Sequence, residues 1–434
     1  MKNIVIIGNG ISGITAARHI RKMSKHKITV ISAETDHFFS RTALMYVYMG
    51  HMRFDNIKPY ENWFWKKNKI DLVRSYVSSI QTGDKMLVLD DGSTLNYDVL
   101  ILAVGSKPNK FGWPGQDLKG VQGLYSFQDL ESMQQYTENI ERGVVVGGGL
   151  IGVEMAEMLL SRNIPVTFLV REESFWNVVL PREESEMINR HIREHHVDLR
   201  LSTELKEILP DENGRAQAVV TNHGEKISCQ FVGLTAGVSP NIGFLKDSGI
   251  ETQRGIMVDP FLLTNVPDVY AIGDCAQFRE PLPNRRPVEQ VWYTGRMMGE
   301  VVARTVCGKK TAYKPGVWFN SAKFFDIEYQ TYGHVWSQLK ENEEQFYWEH
   351  RDGKKCLKFV FDKASRKLLG VNAFGIRIRH EVLDQWLNEG RTIEFVLENL
   401  KKANFDPEFF KRHESEVIDL YNRQNAGANL NLVK

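Results

Sequence analysis

The chain has 434 residues, enough for two or three domains, and its 55 Lys and Arg residues balance 54 Asp and Glu residues to a net charge of +1. This balance gives no support for nucleic acid or an anionic membrane as the main partner. No apolar run reaches the roughly 18 residues of a membrane-spanning helix, and the first one ends in a glycine loop rather than a cleavage site, so we expect a cytoplasmic protein.

The first predicted elements are a short apolar strand, a glycine-rich turn and a helix. They lie in IVIIGNGISGITAARHI (4–20), where Gly8, Gly10 and Gly13 follow the strand, and a second strand, ITVIS, comes next. In a dinucleotide-binding unit the first glycine allows a tight turn, the second lets backbone approach a pyrophosphate, and the third lets helix pack on strand. The helix N-terminus adds unpaired N–H groups and a positive dipole end. We therefore predict a dinucleotide site, with Glu34 placed to accept hydrogen bonds from a ribose, although acids at strand ends are also common surface residues.

A second unit of the same design follows a hairpin and a buried strand. In LVLDDGSTLNYDVLILAVGSKPN (87–109), DDG predicts the hairpin turn and YDVLILAVG a strand that ends in glycine. The next unit, VVVGGGLIGVEMAEMLL (144–160), places Gly147, Gly149 and Gly152 in the same spacing, with the strand VTFLV after it. Two such units imply two dinucleotides.

The residues after the second unit bear on the choice between NADH and NADPH. Val170 and Arg171 stand where an acid would favour NADH, and Arg171 has the charge to meet a 2′-phosphate. Glu172 and Glu173 follow directly and would oppose that phosphate. The sequence therefore leaves the choice between NADH and NADPH open.

The histidines of HIREHH have a spacing that metal sites also use. His191 and His195 lie at i and i+4 on a predicted helix. No third ligand is evident nearby, and the surrounding charges indicate a solvated face, so we expect no metal site.

The last motifs are a second strand–glycine segment and a segment that ends in an acid beside a cysteine. FVGLTAGVSPN (231–241) parallels the earlier strand–glycine segment, and GIMVDPFLLTNVPDVYAIGDCAQF (255–278) follows. No cysteine pair of short spacing exists, so packed, reduced thiols are expected. The four cysteines are Cys229, Cys275, Cys307 and Cys356.

The two glycine units, YDVLILAVGSKP, TAGVSPN and VPDVYAIGDCA, in this order, resemble the two-dinucleotide flavoprotein reductases of the glutathione-reductase, or pyridine nucleotide-disulfide oxidoreductase, superfamily. The resemblance covers roughly residues 1–315. It is strongest to the branch of ferredoxin and rubredoxin reductases, the FAD/NAD part of assimilatory nitrite reductase, and apoptosis-inducing factor. The loop TDHFFSRTALMYVYMG (35–50) looks like that branch's flavin-facing loop, with Arg41 at its usual arginine.

Two absences separate the chain from the disulfide reductases of that superfamily. No cysteine precedes residue 229, whereas those enzymes place cysteines in the flavin-facing loop. In NFDPEF, Asp406 stands where the family's C-terminal acid/base histidine would be. Disulfide reduction is therefore not expected.

The resemblance implies residues for both cofactors. It makes Asp274 a holder of FAD and leaves Cys275 as a packed neighbour. The implied FAD contacts are Gly8, Gly10, Ile11, Ser12, Gly13, Glu34, Arg41, Thr42, Val77, Ala103, Val104, Gly105, Gly273, Asp274, Val291 and Trp292. The implied NAD(P) contacts are Gly147, Gly149, Leu150, Ile151, Gly152, Glu154, Arg171 and Gly237.

Several of these implied contacts have a second interpretation or depart from the family. Glu154 either orients the nicotinamide or only stabilises the first helical turn through the dipole. Trp292 begins the last flavin-contacting helix, but large aromatic residues are more often core. Tyr46 and Tyr125 replace a lysine and an arginine that the branch often has near the flavin.

The implied fold is α/β, with two Rossmann-like domains and a C-terminal α+β domain. The motif order predicts a split FAD domain at 1–110 and 240–318, an NAD(P) domain at 111–239, and an α+β interface domain at 319–434 that could form a homodimer. The tail NAGANLNLVK is expected to be mobile.

The implied function is hydride transfer from NADH or NADPH to FAD and then electron transfer to a carrier protein of the ferredoxin or rubredoxin type. Two alternatives stay open: reduction of quinone or oxygen, and an NAD(P)H-responsive binding or sensing role.

Overall fold

The computed structural model describes residues 1–405, 408 and 411–433, so Asp406 lies outside the described residues. Up to residue 110 the helices and strands are β1 (Asn3–Ile7), α1 (Ile11–Met23), β2 (Lys27–Ser32), α2 (Leu44–Tyr48), α3 (Trp63–Lys67), β3 (Ile70–Arg74), β4 (Val77–Gln81), β5 (Met86–Leu89), β6 (Thr94–Asn96), β7 (Val99–Leu102) and β8 (Ser106–Pro108). From 111 to 240 they are β9 (Val121–Gln122), α4 (Phe127–Tyr136), β10 (Gly143–Val146), α5 (Leu150–Ser161), β11 (Val166–Leu169), α6 (Arg182–Glu194), β12 (Asp198–Arg200), β13 (Leu205–Pro210), β14 (Ala216–Thr221), β15 (Lys226–Ser228), β16 (Phe231–Leu234) and β17 (Val238–Pro240). From 241 to 318 they are β18 (Ile256–Val258), β19 (Val269–Ala271), β20 (Ala276–Phe278) and α7 (Trp292–Val306). From 319 they are β21 (Phe319–Phe324), β22 (Ile327–Gly333), β23 (Glu343–Glu349), β24 (Cys356–Asp362), β25 (Leu368–Phe374), α8 (His380–Glu389), α9 (Ile393–Glu398) and α10 (Glu414–Gln424).

Two five-stranded parallel sheets form the first part of the molecule. The first sheet has the strand order β19-β7-β1-β2-β3, and the second has β12-β11-β10-β16-β9. Strands β7 and β10 are buried along their whole length, as expected where helices cover both faces of a sheet. Each sheet has a glycine turn and a helix after its central strand β1 or β10. The predicted α/β class with two Rossmann-like units is confirmed.

Strand β19 connects distant parts of the chain. It pairs with β7 in the first sheet, although all strands of the second sheet come between the two in sequence. The turn that follows β19 therefore returns to the carboxyl end of the first sheet, which is where α/β sheets bind ligands.

The C-terminal part is an antiparallel sheet with helices packed on it. Its strand order is β21-β22-β25-β24-β23, and α8, α9 and α10 contribute to a core with residues such as Phe359, Trp386 and Val417. This is the predicted α+β arrangement.

Helix α7 lies directly against α1 because two glycines leave room for it. A Cβ on Gly295 would lie 2.5 Å from Ser12 Oγ, and one on Gly299 would lie 2.6 Å from Ser12 O. This contact brings the start of α7, at Trp292, to the end of the first sheet where the glycine turn lies.

Two expectations are wrong. His191 does not lie on a solvated face: it is 1% exposed, because the turn between β21 and β22 covers it. The described part of the C-terminal tail is not free. The backbone N–H groups of Leu430 and Val433 donate to Asn422 Oδ1 (3.0 Å) and Glu398 O (2.8 Å), and Leu432 packs on the C-terminal core.

The helices of the described residues include none that is both long and apolar enough to cross a membrane.

Candidate functional site

The glycine turn of the first sheet, here called the first cradle, consists of Gly8, Gly10, Gly13 and the N-terminus of α1. Gly8 has a φ of +110°, and a Cβ on it would lie 2.1 Å from Ala103 O. A Cβ on Gly13 would lie 2.1 Å from Gly8 O, whereas one on Gly10 would meet nothing within 4 Å. Protein packing therefore requires the first and third glycines, and the second borders open space.

The second cradle consists of Gly147, Gly149, Gly152 and the N-terminus of α5, and it repeats this geometry. Gly147 has a φ of +117°, and its Cβ would lie 2.8 Å from Ala236 N. A Cβ on Gly152 would lie 2.5 Å from Gly147 O, and one on Gly149 would again meet nothing within 4 Å.

Both cradles present helix N-termini suited to an anion. Gly10 and Gly149 are the N-caps of α1 and α5, and neither helix has a side-chain cap or an acidic residue in its first turn. The first N–H groups and the positive end of the helix dipole are therefore free of the usual protein partners.

Asp274 stands beside the first cradle in a polar network that crosses three segments. Its Oδ2 accepts hydrogen bonds from the Tyr125 hydroxyl (3.2 Å) and Ser106 Oγ (3.4 Å), and Gln290 Nε2 donates to Ser106 Oγ (2.7 Å). Within the described residues Oδ1 has no hydrogen bond, which leaves an acceptor for a ligand hydroxyl. Burial raises the pKa of Asp274, against the opposing effects of Tyr125, Arg41 and Ser106.

Glu34 binds Arg41 in the structure. The guanidinium donates to both carboxylate oxygens of Glu34 (2.7 and 2.6 Å), and the backbone N–H of Phe127 donates to the same carboxylate (2.8 Å). Arg41 also donates to the carbonyl of Tyr125 and lies 4.6 Å from the centroid of its ring. The carboxylate predicted to accept from a ribose thus already holds an arginine and a backbone amide.

Cys275, the neighbour of Asp274, is fully buried. Its thiol contacts the carbonyl oxygens of Ile272 (3.3 Å) and Leu102 (3.5 Å), and burial raises its pKa to about 12. Because the thiolate is the reactive form, this cysteine is a packing residue.

Glu154, predicted near the nicotinamide, lies on the first turns of α5. Among the described residues its carboxylate has neither a hydrogen bond nor an ion pair. Burial, with the neighbouring Glu157 as a smaller cause, raises its pKa to about 7. Glu154 is therefore a titratable group beside the second cradle, and among the described residues its carboxylate has no hydrogen bond and no ion pair.

Arg171 lies past the end of β11, where it is exposed. Its guanidinium donates to Glu172 Oε1 from Nη2 (2.8 Å) and Nε (3.2 Å). The arginine predicted as a reader of a 2′-phosphate is therefore paired with the acid that would oppose that phosphate.

The remaining predicted residues differ in how accessible they are to a ligand. Val77 lies in β4 with its side chain in the core, so only its backbone is available to a ligand. Tyr46 stacks near His51 with ring centroids 6.2 Å apart. The partly or fully accessible residues around the first cradle and β7 are Ile11, Thr42, Val104, Gly105, Val291 and Trp292. Ser12, Ala103 and Gly273 are buried beside them. Around the second cradle, Leu150, Ile151 and Gly237 keep accessible surface.

Ser106 and Gln290 belong to the network of Asp274 but were not predicted. Ser106 directly follows the glycine of YDVLILAVG, and Gln290 precedes the predicted Val291, so each adjoins a predicted residue. Their hydrogen bond joins positions 184 residues apart, which no local pattern shows.

The residues of the first cradle fit FAD. A glycine turn with open space and an uncapped helix N-terminus suit a pyrophosphate, and a carboxylate with a free acceptor oxygen suits a polyhydroxyl chain. The second cradle has the first two features and suits a second pyrophosphate.

Comparisons with known proteins agree with this geometry. Residues 2–299 match the family described as pyridine nucleotide-disulphide oxidoreductase. The chain is 26% identical over 436 residues to the assimilatory nitrate reductase electron transfer subunit of Bacillus subtilis, covering 98% of this chain and 54% of that protein, so it spans about half the length of that relative. It is 30% identical over 399 residues to the CoA-dependent NAD(P)H sulfur oxidoreductase of Pyrococcus abyssi, covering 87% of this chain and 88% of the other. The solved ferredoxin reductase for the CYP199A2 system of Rhodopseudomonas palustris has a TM-score of 0.78 at 22% identity, covering 86% of this chain and 91% of that one, and shares the fold.

Proposed function

We infer the function of this chain from its family, because it belongs to the pyridine nucleotide-disulphide oxidoreductases. It is an FAD-dependent NAD(P)H oxidoreductase. It passes electrons to a carrier protein of the ferredoxin or rubredoxin type and uses no redox-active disulfide. The observation that carries this proposal is the pair of cradles, each with an open second glycine and an uncapped helix.

The sheet order supports the division into domains. We assign 1–110 and 240–318 to an FAD domain, 111–239 to an NAD(P) domain and 319–434 to a C-terminal domain. The pairing of β19 with β7 supports the split, because it returns residues 269–271 to the first sheet after the second is complete. A homodimer through the C-terminal domain and a cytoplasmic location stay predictions.

The first cradle and its surroundings hold FAD. When bound, FAD accepts a hydride from the nicotinamide and releases electrons singly or in pairs. The N–H groups at the start of α1 would bind its pyrophosphate, and Asp274 Oδ1 would accept from a hydroxyl. The Tyr125 and Ser106 hydroxyls orient that carboxylate by donating to its other oxygen. The pair of Glu34 and Arg41 closes the site beside the ring of Tyr125.

The second cradle binds NAD(P)H, and we propose that NADH is preferred. Glu172 accepts from Nε and Nη2 of Arg171, so a 2′-phosphate would compete with a carboxylate that is already bonded to the guanidinium. Glu154 stands on the same helix with an unpaired carboxyl group, which is suited to orienting a carboxamide.

The positions of the cysteines indicate that the electron acceptor is not a disulfide. The four cysteines are free thiols, three of them are buried, and each follows residue 228 in sequence, far from the loop that carries Arg41. The relative from Pyrococcus abyssi is named for sulfur reduction, and the one from Bacillus subtilis for electron transfer. Without a cysteine in the flavin-facing loop, the second name suits this chain better.

Anaerobic stopped-flow reduction of the FAD-loaded full chain tests the proposal. The flavin absorbance is followed after mixing with NADH or NADPH, and the reduced protein is then mixed with a ferredoxin, a rubredoxin, a quinone, a persulfide or oxygen. We expect rapid bleaching by NADH and fastest reoxidation by one of the two carrier proteins. Bleaching by neither nucleotide would overturn the oxidoreductase function, and fastest reoxidation by quinone, persulfide or oxygen would overturn the carrier. Rapid reduction with slow reoxidation by every acceptor would favour a sensor.

A further inference from the structure

Three side chains far from both cradles converge between the second sheet and the C-terminal sheet. His191 and His195 lie one turn apart at the end of α6, and Asp326 lies in the turn between β21 and β22. Asp326 Oδ1 is 2.6 Å from His191 Nε2 and 3.1 Å from His195 Nε2. One ligand atom from each residue lies within 4.8 Å of the other two.

Hydrogen bonding accounts for only part of this arrangement, since Asp326 Oδ1 is hydrogen bonded to His195 Nε2 at 3.1 Å. His191 is 1% exposed; its Nε2 is in close contact with the same oxygen at 2.6 Å, and its Nδ1 has no hydrogen-bond partner. Two imidazoles, one of them buried, thus converge with their Nε2 atoms on one carboxylate oxygen from a separate element, which is a set of ligands that a metal ion takes.

The neighbours of the two imidazoles hold them in place. Glu194 Oε2 lies 3.5 Å from Nδ1 of His191, on the side of the ring away from Asp326. The ring of His195 is stacked on Phe325, with centroids 4.2 Å apart and an interplanar angle of 10°. A carboxylate behind a ligating imidazole is the usual second partner of histidines in metal sites.

We propose that His191, His195 and Asp326 bind a divalent transition-metal ion, Zn²⁺ or one of similar ligand preference. Two imidazole nitrogens and one carboxylate oxygen are ligands that Zn²⁺ takes, and three protein ligands leave a fourth position for water. Because α6 and the β21–β22 turn belong to different sheets, the ion ties the second parallel sheet to the C-terminal sheet.

The positive charge of Lys354 repels a bound cation, so a variant without this charge tests the proposal. Its Nζ lies 3.5 Å from Glu194 Oε2 and 4.0 Å from Asp326 Oδ2. The two carboxylates outweigh this one ammonium group, but removing its charge lowers the repulsion of a cation. Lys354→Met is therefore expected to tighten binding, whereas a variant that merely disturbs packing would not.

Calorimetry with ZnCl₂ on the chelator-treated, FAD-loaded full chain tests the proposal, with Co²⁺ absorbance as a second readout. We expect one ion per chain. His195→Ala and Asp326→Asn change partly or fully exposed residues, so the fold is retained, and each raises Kd beyond the roughly 10–100-fold typical of losing an outer partner. Glu194→Gln raises it within about that range, and Lys354→Met lowers it severalfold.

Two other histidines serve as matched controls. His350 belongs to a second group, with His413 and Glu416, and His223 lies elsewhere on the second domain. His350→Ala and His223→Ala should leave Kd unchanged. Absence of stoichiometric binding, binding that survives both His195→Ala and Asp326→Asn, or loss of binding in His350→Ala would each overturn the proposal.

Discussion

The side chains beside the first cradle are bonded to one another, which makes it the closed cradle, whereas the second, with the same backbone, is the open cradle because its neighbours are unpaired or exposed. Around the first, Ser12 is pressed between α1 and α7, and Asp274 is bonded to Tyr125 and Ser106. Around the second, Glu154 has no partner among the described residues and Arg171 is exposed.

This difference suits two kinds of nucleotide. A cofactor that stays bound through many turnovers gains from a closed, hydrogen-bonded site, whereas a substrate that must leave gains from an open one. The glycine pattern predicts a dinucleotide at both cradles, and we expect the surroundings to decide which of the two nucleotides is retained.

Valine at the second glycine of each cradle should separate the two roles with the largest effect. Gly10 and Gly149 have negative φ angles, and a Cβ added to either would meet no atom within 4 Å, so we expect Gly10→Val and Gly149→Val to be tolerated by the protein and to block a ligand. We expect Gly10→Val to purify without FAD, and Gly149→Val to keep FAD but to be reduced by NADH about 100-fold more slowly at low NADH. Flavin absorbance and stopped-flow reduction measure both. Loss of FAD in Gly149→Val would show that the cradles are assigned the wrong way round.

Removing the carboxylate of Asp274 should weaken the closed site specifically. Asp274→Ala deletes the acceptor beside the first cradle, and hydrogen bonds to charged groups are worth about 1.5–3 kcal/mol, so FAD affinity should fall about 10–150-fold. Fluorescence titration of apoprotein with FAD measures it. Glu154→Gln is the matched control at the open cradle and should leave FAD affinity unchanged.

The unpaired carboxyl group of Glu154 should give the open cradle a pH dependence. With a folded pKa of about 7, above its unfolded value, the group favours the folded state when protonated, and this stability is lost as pH rises from about 4.5 to 7. Wild type should therefore lose about 2 °C in Tm relative to Glu154→Gln over this interval, with no further change above it. A constant difference in Tm across this interval would contradict the burial of the carboxyl group.

Freeing Arg171 should change the nucleotide preference slightly. Glu172→Gln removes the carboxylate that binds the guanidinium, and exposed ion pairs are worth about 0.2–1 kcal/mol, so the ratio of NADPH to NADH efficiency should rise about two- to fivefold. Steady-state kinetics with both nucleotides measure the ratio. An unchanged ratio would mean that Arg171 does not read the 2′ position.

Cys275→Ala should have the smallest effect. The thiol is buried and serves packing, so the rate of reduction by NADH and of electron transfer to the carrier should stay within about twofold of wild type. Electron transfer that falls tenfold with FAD still bound would instead make Cys275 a redox group.

The local features of this protein were predictable from its sequence. A strand, a glycine turn and a helix adjoin one another in the chain, so the spacing of Gly8, Gly10 and Gly13 already predicts the turn and its open face. The C-terminal strands and helices were predictable for the same reason, since their patterns lie within short segments.

Only the tertiary structure decided which distant side chains meet. Tyr125 bonds Asp274 across 149 positions, and Glu34, predicted to meet a ribose, also binds Arg41 and the backbone N–H of Phe127. His191, expected in solvent, is buried because a turn more than 130 residues later covers it and brings Asp326. Such contacts depend on how the sheets pack against each other. Hydrophobic residues drive this packing, but the polar residues that it brings together follow no periodic pattern in the sequence.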